Sequence, residues 1–269
     1  MSFARREGFR SAVIAAASTI LFFGVAAWLI TRSPNWPRVR DQFFSGEQLR
    51  ATFPDVLSGF WLNVRLFLWC MVTIPISALV VAVARSLRGP AFFPLRLLAT
   101  VYVDVLRGIP LVLLILLLGF GLPALDIPGL PRDAAFWGVV ALTLSYAAYT
   151  AEIYRAGIDA VPESQRASAR AIGLGQLQAM RYAILPQAIR NVVPALMNTV
   201  VSLQKDVALL SVLGIREAVR EAQIATARSF NYTAYISATI LFIAFSVPLV
   251  RFVDWYVKRD RHRRTQVYA

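Results

Sequence analysis

The sequence predicts an all-α integral membrane protein with about six transmembrane helices. Three observations carry that reading. The chain is 58% hydrophobic and 16% charged, whereas an ordinary soluble domain is about 45–50% apolar and about 25% charged. Mostly apolar runs of roughly 20 residues, the length that crosses hydrocarbon, recur six times. The arginines behind the net charge of +13 lie between these runs. They do not gather in one basic domain, so the charge points to membrane flanks and not to nucleic acid.

The first run is Ala12–Thr31. It is longer than the 7–15 apolar residues of a signal peptide, and no small-x-small cleavage pattern precedes Thr31, so it reads as a retained anchor. The second is Gly59–Ala84, with Asn63 and Arg65 near its start. Asn63 is a candidate for the solute pathway or for a helix–helix hydrogen bond; Arg65 reads as snorkelling to the surface. The third, Leu95–Leu122, is interrupted by Arg107-Gly108-Ile109-Pro110. Proline removes a backbone donor and clashes with the preceding turn. Leu95–Leu106 therefore reads as interfacial, with the true span beginning near Gly108. The fourth is Ala134–Tyr154. Glu152 and Arg155 near its end are three residues apart, the spacing of an ion pair on a helix; a solute contact is the other reading of Glu152.

The loop from about 155 to 191 is unlike a simple connector. Pro162 and Glu163 suit a helix first turn. Pro162–Ile172 then places Ser164, Ala167, Ser168 and Ala171 on one face and Glu163, Arg166 and Arg170 on the other. Gly173 and Gly175 supply a helix stop, and a second helix, Gln176–Ile184, runs to Pro186. A helix–turn–helix hairpin is expected.

The fifth run is Val192–Leu213. Charges within a span default to a functional hypothesis, and Lys205 and Asp206 lie late in this one. Adjacent helical residues point in different directions. Two readings stand: both cap or snorkel near the far surface, roughly 27 Å along the helix, or they line a pathway or gate. The sixth run is Ala234–Val257, where Arg251 and Asp254 have pair spacing. The tail Lys258–Arg264 reads as an anchor on anionic lipid. Arginine and lysine placement favours both termini in the cytoplasm by about two to one, with Arg32, Arg38, Arg40 and Arg50 as the contrary set. The expected divisions are 1–58, an anchor and extracytoplasmic loop; 59–257, a core; and 258–269, the tail. The single cysteine, Cys70, and single histidine, His262, exclude a disulfide framework and make His-based catalysis or a metal site a poor fit.

The loop resembles the permease subunits of the polar amino-acid uptake class of ABC transporters, whose motif is E-A-A-x3-G-x9-I-x-L-P. The matching residues are Ala167-Ser168-Ala169, Gly173 and Ala183-Ile184-Leu185-Pro186. Ala167 replaces the family glutamate, Ser168 the second alanine and Ala183 the isoleucine. Further matching strings are Arg107-Gly108-Ile109-Pro110-Leu111, Ala151–Ile158, Val161-Pro162 and Lys205–Leu209. The resemblance covers roughly Phe53 to Val257.

It implies a MetI-like type I ABC importer permease fold in the cell inner membrane. It also implies that Ala167, Ser168, Ala169, Gly173, Leu185 and Pro186 belong to the loop that couples to an ATPase dimer. A second permease subunit, identical or related, and an extracytoplasmic solute-binding protein complete the expected assembly. No cofactor is expected in this chain; ATP and Mg are used by the ATPase. The chain agrees in lacking G-x-x-x-x-G-K-[ST], the phosphate loop. Two other classes compete. A secondary transporter often shows paired internal repeats, and no convincing repeat is present. A membrane enzyme needs acids, bases or metal ligands within its spans, and these are few.

Overall fold

The computed structural model describes the helical backbone of residues 2–87 and 89–267, and side chains from 11 to 87 and from 89 to 259. The arginines that favour cytoplasmic termini include Arg5, Arg6, Arg10 and Arg88; these, and the tail from Arg261 to Arg264 with His262, lie outside the described side chains.

Small residues decide where the helices meet. Helix α6 (Ala134–Asp159) buries Gly138, Ala141, Ser145, Ala148 and Ala151. Lipid tails are as apolar as leucine, so helices in a membrane associate through close packing, and small residues permit it. Against α6 lie α3 (Gly46–Ser86), α4 (Phe93–Gly108), α5 (Leu111–Ala124) and α9 (Leu185–Asp206). At Gly157 a Cβ would run into Val192 of α9, and at Gly138 it would come within 2.7 Å of Leu210. The central core is filled by Phe67, Cys70, Ile115, Leu142, Tyr146 and Leu210, among others.

Among the described residues, five helices are long and apolar enough to cross a membrane, and a sixth span results if α4 and α5 count as one. The axes of α4 and α5 differ by 108° across the break after Gly108. That is where Ile109-Pro110 interrupts the apolar run, as Pro110 demands. The first helix, α1 (Ser2–Thr31), has no buried residue among its described side chains.

Three expectations about elements are corrected. The segment from 32 to 58 is not mainly loop: it holds α2 (Trp36–Phe43) and the first turns of α3, capped by Ser45, whose side chain accepts from Gln48 N–H. The division expected at 58 thus falls inside one 41-residue helix. Here α3 packs on α10 (Ala218–Ser229), with Val56 and Phe60 against Ala218 and Ala222. Second, the helix from Gln176 does not end at Pro186. After α7 (Glu163–Ala171), the short α8 (Gln176–Ala179) passes through a π-helical turn, Met180–Ile184, straight into α9. Pro186 directly follows that π-helical turn, which closes from Leu185 N–H to Met180 O; the wider turn accommodates the proline without ending the helix. Third, Arg251 and Asp254 of α11 (Thr233–Val267) form no salt bridge among the described residues.

Candidate functional sites: the hairpin and the cleft

The hairpin is built from its stop signal. Gly173 has φ +86°, a left-handed conformation that glycine adopts without steric cost. Leu174 N–H donates to Ala169 O (3.1 Å) and Gly173 N–H to Arg170 O (2.9 Å). These are the two bonds of a Schellman motif, and they satisfy the last carbonyls of α7. Arg166 ties the arm back to α6 by donating to Ile158 O (2.7 Å). Glu163 pairs with Arg166 and Arg170 at 3.6 and 2.9 Å. The charged face thus closes on itself and on α6.

The other face is left outward. Ala167 and Ser168 are exposed, and Ala169 is buried at 4%. Ile172 and Leu177 are 77% and 82% exposed, a pair of apolar knobs flanking the turn. Leu185 and Pro186, at the base of α9, are exposed as well. The knobs were not apparent from periodicity, because each stands beside a polar stretch and belongs to no long apolar face.

The second site is a cleft of about 750 Å³ at the break between α4 and α5, a size that suits a small molecule. Its walls are the break itself, one stripe of α6 and one stripe of α9. Two of the four candidate pathway residues, Glu152 and Asp206, line it.

Their electrostatic situations differ. Glu152 is bound by Arg85 of α3 at 2.6 Å and by Arg155 at 3.1 Å, so the expected i, i+3 pair is present with a second cation. Asp206 accepts a hydrogen bond from the Tyr146 hydroxyl at 2.6 Å, and among the described residues no cation pairs with it. It sits where α9 tightens into a 3₁₀ segment, Val207–Leu213.

The other two candidates lie elsewhere. Lys205 is exposed and does not line the cleft. Asn63 is buried at 3%, where its Nδ2 donates to Glu217 (3.0 Å) and its Oδ1 accepts from Ala218 N–H (3.1 Å). It is a clamp between α3 and the N-terminus of α10. Gly59, one turn earlier, permits that approach: a Cβ there would meet the carbonyl carbon of Glu217 at 2.6 Å.

Several cleft residues were not singled out for a pathway from sequence. Arg107 lies over the Tyr149 ring at 5.7 Å, and the Tyr149 hydroxyl donates to the Arg107 carbonyl. Ser145 and Tyr146 reach the cleft from α6, and Asn198 and Ser202 from α9. The polar residues at i, i+1, i+4 and i+7 along α6, Ser145, Tyr146, Tyr149 and Glu152, were the available signal.

Residues 89–262 match the family described as "Binding-protein-dependent transport system inner membrane component". The arginine transport system permease protein ArtQ of Bacillus subtilis (strain 168) is 34% identical over 207 residues, 77% of this chain and 92% of that protein. The probable glutamine ABC transporter permease protein GlnM of the same organism is 37% identical over 180 residues, 66% and 82% of the two chains. Among solved structures, one described as an amino acid ABC transporter with histidines aligns with a TM-score of 0.70 at 32% identity, covering 77% of this chain and 94% of its own. The inward-facing MetNI methionine ABC transporter aligns at 0.54 and 18% identity, covering 79% and 95%, a likeness of fold alone.

Proposed function

Because this chain belongs to the binding-protein-dependent transport system inner membrane components, as a permease subunit of an ABC importer for amino acids, we propose that its cleft receives a polar amino acid whose ammonium group sits at Asp206. The observation that carries this reading is the contrast between the two cleft carboxylates. Glu152 already has two guanidinium partners, whereas among the described residues Asp206 has only the neutral Tyr146 hydroxyl. A carboxylate without a cation within an apolar membrane-spanning run attracts a cationic group. The names of relatives, arginine and glutamine permeases, agree with a small polar amino acid as cargo.

The hairpin serves as the docking element for an ATPase dimer, with Ile172 and Leu177 as its apolar contacts and Ala167, Ser168, Ala169, Gly173, Leu185 and Pro186 around them. ATP and Mg are used by that dimer, and this subunit hydrolyses none. A second permease, identical or related, closes the open side of the cleft, and an extracytoplasmic binding protein delivers the cargo. Both termini and the hairpin face the cytoplasm.

The test is uptake by the assembled transporter in vesicles, with membrane abundance measured in parallel. Asp206→Asn removes the charge and retains the Tyr146 contact. It is expected to lower uptake at least about tenfold, on the scale of a lost charge-assisted interaction, at near-normal abundance. Uptake at the wild-type rate by Asp206→Asn would remove Asp206 from the pathway.

A further inference from the structure

The segment joining α1 to α3 runs against the charge pattern of the rest of the chain. From 32 to 44 it carries Arg32, Arg38 and Arg40 against the single acid Asp41. It lies on the side that the proposed orientation puts outside the cytoplasm, where lysine and arginine are ordinarily sparse. Both ends of α2 are held where a span ends. At its start, two successive turns follow the apolar run of α1: Ser33 N–H donates to Ile30 O (3.1 Å) and Trp36 N–H to Ser33 O (2.9 Å). At its end, Tyr232 N–H donates to Gln42 O (2.7 Å) and the Asn231 amide to Asp41 O (2.8 Å). The Phe43 ring stacks on Tyr232 at 4.9 Å, and the apolar span of α11 begins at the next residue, Thr233. These ties place α2 at the boundary between hydrocarbon and water.

The side chains suit that depth. Arg32 lies over the Trp28 ring at 4.7 Å, and a tryptophan with an arginine at a span end is an interfacial anchor. Trp36 opens α2 half-buried, while Val39 and Phe44 are exposed. Between them stand two guanidiniums with donors to spare. Arg38 is exposed and makes no hydrogen bond or ion pair among the described residues. The Arg40 side chain meets only Asp41, at 3.4 Å, and both are largely exposed, so that pair holds the guanidinium weakly.

We infer that α2, with the end of α1, is a binding surface for anionic phospholipid headgroups. A guanidinium takes the two charged oxygens of a phosphodiester in a bidentate pair. The exposed Val39 and Phe44 and the indoles of Trp28 and Trp36 meet the lipid just below its headgroup, where rings with one apolar and one polar edge are at home. An anionic headgroup presents its phosphate without a competing cation, whereas a zwitterionic one brings its own ammonium. An acidic protein surface would also meet the arginines, but the interfacial depth and the apolar side chains among them favour lipid. Which leaflet supplies that lipid rests on the orientation proposed above; the preference for an anionic headgroup does not.

The test uses the full chain, assembled with its ATPase, in mixed micelles of detergent and phospholipid with brominated acyl chains, which quench nearby tryptophan. The signal of Trp28 and Trp36 is obtained in each background as the difference from Trp28→Phe/Trp36→Phe. Brominated phosphatidylglycerol is expected to quench these two at a concentration at least about fivefold lower than brominated phosphatidylcholine, and the preference should fade in about 0.5 M salt. Arg38→Gln/Arg40→Gln should abolish the preference while melting temperature and membrane abundance stay near normal, since neither side chain is buried. Equal quenching by the two lipids in the wild type, or a preference that Arg38→Gln/Arg40→Gln retains, would overturn the proposal. A retained preference together with weaker association of the extracytoplasmic binding protein would assign the two arginines to that protein instead. An inverted orientation would move the site to the other leaflet and leave the micelle result as it is.

Discussion

At the scale of single residues, Glu217 shows how one buried acid organises a helix end. It caps α10, accepting from Arg220 N–H at 2.7 Å and from Val219 N–H at 3.0 Å, with the Asn63 amide as a third donor. Its neighbour Arg216 pairs instead with Glu221 at 2.7 Å, a bond that raises the arginine's pKa further. Glu217 is fully buried, and burial pushes its carboxyl above the ordinary glutamate value against the pull of the three donors. The sign of the linkage follows. A group that binds its proton more tightly in the folded state adds stability fully present below its unfolded pKa, about 4.3, and lost as pH rises through the folded value. Glu217→Gln does not titrate. The advantage in melting temperature of wild type over Glu217→Gln, measured in detergent, should therefore shrink from about pH 4 toward pH 8. An advantage that grows with pH would mean that the donors, and not burial, dominate at this carboxyl. Glutamine should also be the poorer cap at every pH. Three donors converge on the two oxygens, so its amide nitrogen must face at least one of them.

At the scale of elements, the hairpin turn isolates a conformational effect from a packing effect. A Cβ at Gly173 would meet no atom within 4 Å, yet its φ is +86°. Gly173→Val is thus strained by backbone conformation alone, by about 1–2 kcal/mol, and more for a β-branched residue than for alanine. Relief would come from reopening the Schellman turn, which re-aims α8 and the continuous π-helical turn and α9 behind it. Membrane helices satisfy their backbone internally, so abundance should stay near normal. Uptake should fall at least about tenfold, about 1.4 kcal/mol if read as lost coupling. Ala167→Glu, on the exposed face in the first half of α7, serves as the control and should be tolerated. Wild-type uptake by Gly173→Val, measured with abundance and ATPase rate, would show that the turn does not transmit motion. The continuity of α8 into α9 was not legible from residues, because Pro186 reads as a stop. Proline removes a donor and its ring crowds the preceding turn; the wider π-helical turn before Pro186, closed from Leu185 N–H to Met180 O, makes the room that lets the helix run on.

At the scale of the whole molecule, the spans alternate, and the charges between them are the basis of the proposed orientation. The 31–46 segment, the 124–134 connection and α10 lie at the ends of spans opposite to Ser86, the hairpin and the end of α11. The lysine and arginine excess on the hairpin side supports the proposal that this side faces the cytoplasm. A reporter active only outside the cytoplasm should be silent when fused after Arg264 and active when inserted at Arg38. The reverse pattern would invert the orientation and leave the hairpin unable to meet a cytoplasmic ATPase.

What the sequence determined by itself was whatever depends on one segment at a time. Six apolar runs, the break at Pro110, the Gly173 stop and the family strings are all local, since length, proline chemistry and glycine's left-handed conformation need no neighbours. What only the tertiary structure decided was the sorting of polar residues that look alike in sequence. Asn63, Glu152, Lys205 and Asp206 are all polar groups in apolar runs. Asn63 meets a helix start 154 residues away, Glu152 meets Arg85 across 67, and Asp206 meets Tyr146 across 60, while Lys205 faces outward. The cost of a buried polar group depends on which partner reaches it, and partners are brought by helix packing from distant segments. The cleft exists for the same reason: α4 and α5 part at a local break, but its walls come from α6 and α9, which the fold alone sets beside it.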